Sequence, residues 1–210
     1  MQTLILIVVL IILIFSIIIH ECAHGIVAEH YGDSTARDMG RITLNPIPHI
    51  DPIGSLLLPG IMILMSLIGH SSPIIFGWAK PVPINPYNLN DPQKNMMGIG
   101  VAGPAANLVL ALILSLISRI MPISSPLVTI ILFYGVTINL ILAFFNLIPV
   151  PPLDGSRILT GLLSEENAYK LSRLEPFGFI IILILIMSGL LNFIFAGAMN
   201  LGILLTGFSF

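Results

Sequence analysis

The chain has little charge. Only 9% of its 210 residues are Asp, Glu, Lys or Arg, against about 25% in an average soluble domain. That scarcity excludes a water-soluble globular domain. With 56% hydrophobic residues and a mean hydropathy of +1.04, the composition is that of an integral membrane protein. Cysteine is nearly absent. Cys22 stands alone, so no internal disulfide can form, and it reads as a small buried side chain. No basic run exists to bind nucleic acid, and the net charge is −2. Low-complexity tails and internal repeats are missing too. The first apolar stretch lacks the basic n-region and small-residue cleavage site of a signal peptide, so it is expected to be retained.

What the chain does have is long apolar stretches, at residues 4–31, 53–78, 96–121, 127–148 and 177–210. They predict an all-α polytopic membrane protein with about four to five transmembrane helices. Breaks at Pro59-Gly60, Gly69-His70 and Pro73 suit residues 53–78 to a re-entrant segment. Residues 40–44 read as a possible strand and 79–85 as a second short extended piece, because alternating prolines forbid a helix there. A short surface helix is expected around residues 165–174. The whole, 1–210, reads as a single membrane domain with a core at 1–157 and a C-terminal membrane segment at 177–210.

Orientation follows from the eight basic residues, Arg37, Arg41, Lys80, Lys94, Arg119, Arg157, Lys170 and Arg173. If the first helix runs outside to inside and 53–78 dips in and returns, all but Arg119 lie on the cytoplasmic side. The expected location is thus the cell membrane, multi-pass.

Residues 4–19 contain one weakly polar side chain, Ser16, and no charge. They lead directly into His20-Glu21-Cys22-Ala23-His24, an H-E-x-x-H motif. Residues four apart share a helix face, so both imidazoles can bind one metal while Glu21 projects beside them as a base. Two His and a Glu in so apolar a segment are costly unless satisfied, which argues against a chance match. Sixteen residues make about 24 Å of helix in a hydrocarbon core of about 30 Å. The motif therefore sits a little inside the far boundary, near the cytoplasmic side.

Two histidines do not complete a catalytic zinc site, which takes three protein ligands. His30 has the third-ligand spacing of a metzincin, but the glycine that bends such chains is replaced by Val27. On an unbroken helix His30 would lie about 9 Å beyond His24 and be turned away. His49, His70 and Asp51 read as local caps or hydrogen-bonding groups. Asp154 is the stronger candidate. It ends Asn146-Leu147-Ile148-Pro149-Val150-Pro151-Pro152-Leu153 and precedes Gly155, where the prolines let the chain turn back toward the first helix. The alternative for Asp154 is an N-cap of a helix starting near Gly155.

Taken in order, His20-Glu21-x-x-His24, Gly103-Pro104-Ala105-Ala106-Asn107, Asn146 and Leu153-Asp154-Gly155 resemble the site-2 protease family of intramembrane zinc metalloproteases. The likeness runs from the first helix to about Arg157, in a minimal prokaryotic form without PDZ or CBS domains. It implies one catalytic Zn2+ held by His20, His24 and Asp154, with Glu21 as catalytic base. It also implies Asn146 and Asn107 as substrate-binding residues, and residues 40–44 and 79–85 as short membrane-proximal β segments that receive an unwound substrate strand. The expected partners are single-span membrane protein substrates and the lipid bilayer. A rival from another class, a zinc-binding membrane transporter or sensor, would use the same ligands without needing Glu21.

Overall fold

The computed structural model describes residues 2–69, 77–123, 125–189 and 191–208. Away from water, a helix satisfies its own backbone N–H and C=O groups, and the apolar stretches wind accordingly. Helix α1 (Gln2–His30) is followed by α2 (Thr35–Asp38) and α3 (Leu58–Gly69). Then come α4 (Pro92–Ile120) and α5 (Pro126–Asn146). The chain closes with α6 (Asp154–Leu162), α7 (Glu165–Ser172), α8 (Gly178–Met187) and α9 (Asn192–Thr206). The boundaries have local causes. Pro92 opens α4, where the Asp91 side chain accepts from Lys94 N–H. Gly207, with φ 74°, ends α9 in the left-handed conformation that glycine adopts without cost.

Three helices are long and apolar enough to cross a membrane, Thr3–His30, Pro92–Ile120 and Pro126–Asn146. A fourth is possible by length if Glu165–Met187 and Asn192–Thr206, bent by 69°, count as one span. The chain is thus a multi-pass membrane protein. Leu6, Ile7, Leu10, Ile11 and Ile14 of α1 are exposed, as a lipid-facing surface requires. Helix α4 is the hub, packing on α1, α5 and α6, while α5 also packs on α9. Ala111, Val136, Leu140 and Ala198 form the buried centre of the α4–α5–α9 contact. Small residues there let the helices approach closely.

The expected β segments differ from what is observed, for among the described residues no strand forms. Pro81, Pro83 and Pro86 each lack a backbone donor, and neighbouring donors are already committed. Lys80 N–H goes to His49 O, Val82 N–H to Glu21 Oε2 and Asn85 N–H to Asp33 Oδ2. Residues 42–44 are a series of bends. The 77–88 stretch is instead a strap laid across the end of α1. Buried Arg41 donates to Lys80 O and Pro81 O. Asp33, fully buried, accepts from Thr35, Asn85 and Asn88.

Residues 52–69 comprise a π-helix (Pro52–Leu57) running into α3. The two ends of this excursion meet. Trp78 N–H donates to Gly54 O at 3.2 Å and Ser55 Oγ to Trp78 O at 2.8 Å, with Gly54 directly under the indole. His70, Ser71 and the rest of 70–76 lie outside the described residues.

Candidate metal centre

Helix α1 places His20 and His24 on the face that meets α4, both buried. Their Nε2 atoms lie 3.0 Å apart. Asp154, the first residue of α6, projects Oδ2 between them, 3.0 Å from His20 Nε2 and 3.2 Å from His24 Nε2. Its other oxygen lies 3.4 Å from Arg157 Nη1. Asp154 does not cap its own helix, since Leu153 holds that position. Two glycines make the approach possible. A Cβ at Gly103 would lie 2.5 Å from both Nε2 atoms, and one at Gly155 would run into the carbonyls of Leu147 and Ile148.

The protonation of the two rings follows from their outer partners. His20 Nδ1 faces Asn107 Oδ1 at 2.6 Å, and His24 Nδ1 faces Ile99 O at 2.7 Å. Both partners are oxygens that can only accept, so each Nδ1 carries a proton, and Nε2 is the nitrogen left to offer a lone pair to a metal. Three lone-pair atoms then converge: two Nε2 and Oδ2, a buried atom with no hydrogen-bond donor assigned to it. They repel unless a positive charge sits among them. The separations of 3.0–3.2 Å are close to the ligand spacing of roughly 3.3 Å around a tetrahedral metal with bonds of about 2.0–2.1 Å. Two imidazoles and one carboxylate therefore fit a zinc ion and leave a fourth position open.

Glu21 stands beside this cluster, with a carboxylate oxygen within 4.8 Å of ligand atoms on both His20 and His24. Its Oε2 accepts Val82 N–H at 2.7 Å, which pins the side chain from the strap. Cys22 is buried and donates to Thr43 O. The remaining candidates lie apart. His30 is exposed and packs on Tyr31. His49 is buried against Thr43 O, and Asp51 accepts from Ile53 and Gly54 N–H. Asn146, at the end of α5, donates to Leu142 O one turn back. Asn107 is fully buried, and its amide meets His20, Ser16 O and Asn139. Sequence reasoning missed Asn139 and the use of Ser16. Their signal was that each is a polar side chain inside an apolar span, where polar groups are costly and tend to be functional.

Comparison with known proteins decides the family. A model of peptidase family M50 matches residues 122–191, the stretch holding Asn146 and Leu153-Asp154-Gly155. A candidate zinc metalloprotease of Bacillus subtilis is 35% identical over 198 residues, covering 90% of this chain and 84% of its own. The chain belongs to peptidase family M50. A candidate zinc metalloprotease of Mycolicibacterium smegmatis is 30% identical over 85% of this chain and 66% of its own length. For a zinc metalloprotease of Methanocaldococcus jannaschii the figures are 30% identity, 88% and 43%, so this chain spans under half of that relative. No solved structure matches the chain. Membership makes this M50 chain a metalloprotease and bears out the site-2 protease likeness of its motifs.

Proposed function

We propose that this M50 chain is a zinc-dependent intramembrane endopeptidase that hydrolyses peptide bonds in or near transmembrane segments of single-span membrane proteins. His20, His24 and Asp154 hold the metal and Glu21 is the base. One observation carries this reading: two Nε2 lone pairs and a carboxylate oxygen meet within 3.0–3.2 Å on a helix whose outer face is apolar. The names of the relatives specify zinc.

Zinc, when bound, supplies Lewis acidity that polarises the scissile carbonyl and makes water easier to deprotonate. Glu21 takes a proton from the attacking water and passes it to the leaving amine as the C–N bond breaks, releasing a carboxylate and an amine. Val82 N–H holds Glu21 in one orientation for both transfers. Asn107 and Ile99 O hold the two imidazoles. For Asn146 to reach a substrate backbone, its amide exchanges Leu142 O for a substrate carbonyl.

A membrane helix hides its peptide bonds in its own hydrogen bonds, so substrate must unwind locally. Spans containing Gly, Pro or Asn are the favoured substrates. The metal centre lies near the cytoplasmic side, where water is close. Contacts from Arg41 to Lys80 O and Pro81 O support this, because they keep Arg41 and Lys80 together at one end, as the positive-inside rule asks. The joined ends at Gly54, Ser55 and Trp78 support a re-entrant hairpin between them.

The purified protein incubated with a model single-span substrate should release fragments, and a zinc chelator should stop it. Cleavage indifferent to the chelator would refute the proposal.

A further inference from the structure

Ser16, Asn139 and Asn107 form a line of buried polar side chains ending on His20, and hydrolysis itself touches neither of the first two. Polar groups packed between membrane helices are costly unless satisfied, and here each is. Asn139 Nδ2 donates to Ser16 Oγ at 2.9 Å and to Gly135 O at 2.8 Å. Asn139 Oδ1 accepts from Asn107 Nδ2 at 2.7 Å, and the same Nδ2 donates to Ser16 O at 3.2 Å. Asn107 Oδ1 meets His20 Nδ1 at 2.6 Å.

The sense of every bond in this line is set from its far end. Gly135 O can only accept, so Asn139 must turn its NH2 there and its oxygen toward Asn107. Asn107 must then give its NH2 to Asn139, which leaves its oxygen on His20. A carbonyl oxygen at that place requires the His20 proton on Nδ1 and leaves Nε2 as the metal-facing lone pair. Without Asn139, only the longer bond to Ser16 O at 3.2 Å still holds the Asn107 NH2 in place, so the amide is less firmly fixed and its NH2 can turn to the ring for part of the time. Ser16 lies one helical turn before His20, so the line also ties α1 to α5 across α4.

We propose that Asn139, together with Ser16, is a positioning residue that sets the tautomer and ring orientation of His20 through Asn107. This rests on the reading of His20 as a zinc ligand. Metal-ligating histidines lose about 10- to 100-fold in metal affinity when their outer partner is removed.

The full chain carrying Asn139→Leu tests it, measured for zinc affinity against a chromophoric chelator and for the His20 ring-nitrogen NMR shifts without metal. Thr137→Val is the control. Thr137 lies on the same helix, is buried, and its hydroxyl has no hydrogen-bond partner among the described residues. Asn139→Leu keeps Asn107 itself, so it should weaken zinc by up to about 10-fold, the low end of losing the outer partner, mix the two His20 tautomers, and regain kcat in excess zinc. Thr137→Val should leave all three unchanged. If the leucine variant does not fold, Ser16→Ala removes a single acceptor and should weaken zinc on the order of two- to tenfold. Unchanged affinity with an unmixed Nδ1–H tautomer in Asn139→Leu overturns the positioning role, as does unchanged affinity in Ser16→Ala when that variant has to stand in. Wild-type protein that holds no zinc would instead overturn the zinc assignment, and the positioning role with it.

Discussion

At Gly103 the absence of one methyl group decides whether a metal can enter. A Cβ there would lie 2.5 Å from His20 Nε2 and His24 Nε2, on the side where the ligands converge. Gly103→Ala should therefore abolish zinc binding, because the two buried rings must shift to admit the methyl, and should cost about 1–3 kcal/mol of stability by overpacking. Metal content and thermal unfolding, measured together, check both halves. Asp154→Ala should lose more zinc affinity than the roughly 100-fold reached by losing an outer partner, with activity falling alongside. His30→Ala should keep both, because its ring is exposed and packs on Tyr31. The reverse ranking would show that the metzincin-like spacing was real. Of these residues, His20, Glu21 and His24 were legible because helix periodicity alone puts them together. Asp154 was legible through depth and its flanking prolines. The Asn139–Ser16 bond was not, since its partners are 123 residues apart and no local pattern joins them.

Among the elements, the strap at 77–88 depends on Asp33. Burial pushes the Asp33 carboxyl up, but hydrogen bonds from the Thr35 hydroxyl, Asn85 N–H, the Asn88 amide and Thr35 N–H outweigh it. They hold the carboxyl below its usual range. A carboxylate depressed in the folded state stabilises that state above its unfolded pKa, and the benefit is lost as pH falls through the folded value. Wild-type protein in detergent should therefore lose thermal stability on acidification. Asp33→Asn, which sets an NH2 against at least one of those donors, should cost about 1–3 kcal/mol at neutral pH and flatten the acid dependence. A variant with wild-type stability and an unchanged pH profile would show that the strap is held elsewhere. The sequence showed that 79–85 could not be helical, because its prolines are visible. It did not show that the remaining donors would be spent on Glu21, Asp33 and His49, and that commitment is why a strap forms where a strand was expected.

For the whole molecule, the joined ends at Gly54, Ser55 and Trp78 and the contacts of Arg41 with Lys80 and Pro81 support one topology. In the proposed topology the 53–78 segment enters and leaves on the cytoplasmic face. Asn90 is exposed beyond the strap, so Asn90→Cys in a Cys22→Ser background should react with an impermeant thiol reagent from the cytoplasm alone. Strong labelling from outside would reverse α4. The account's central claim is that His20, His24 and Asp154 hold zinc while Glu21 moves the proton. It is tested most directly by the Glu21→Gln variant in a bilayer with a single-span substrate, with zinc content and cleavage read on the same sample. The account predicts a full complement of zinc and no cleavage. Wild-type cleavage, or zinc lost along with activity, would contradict it.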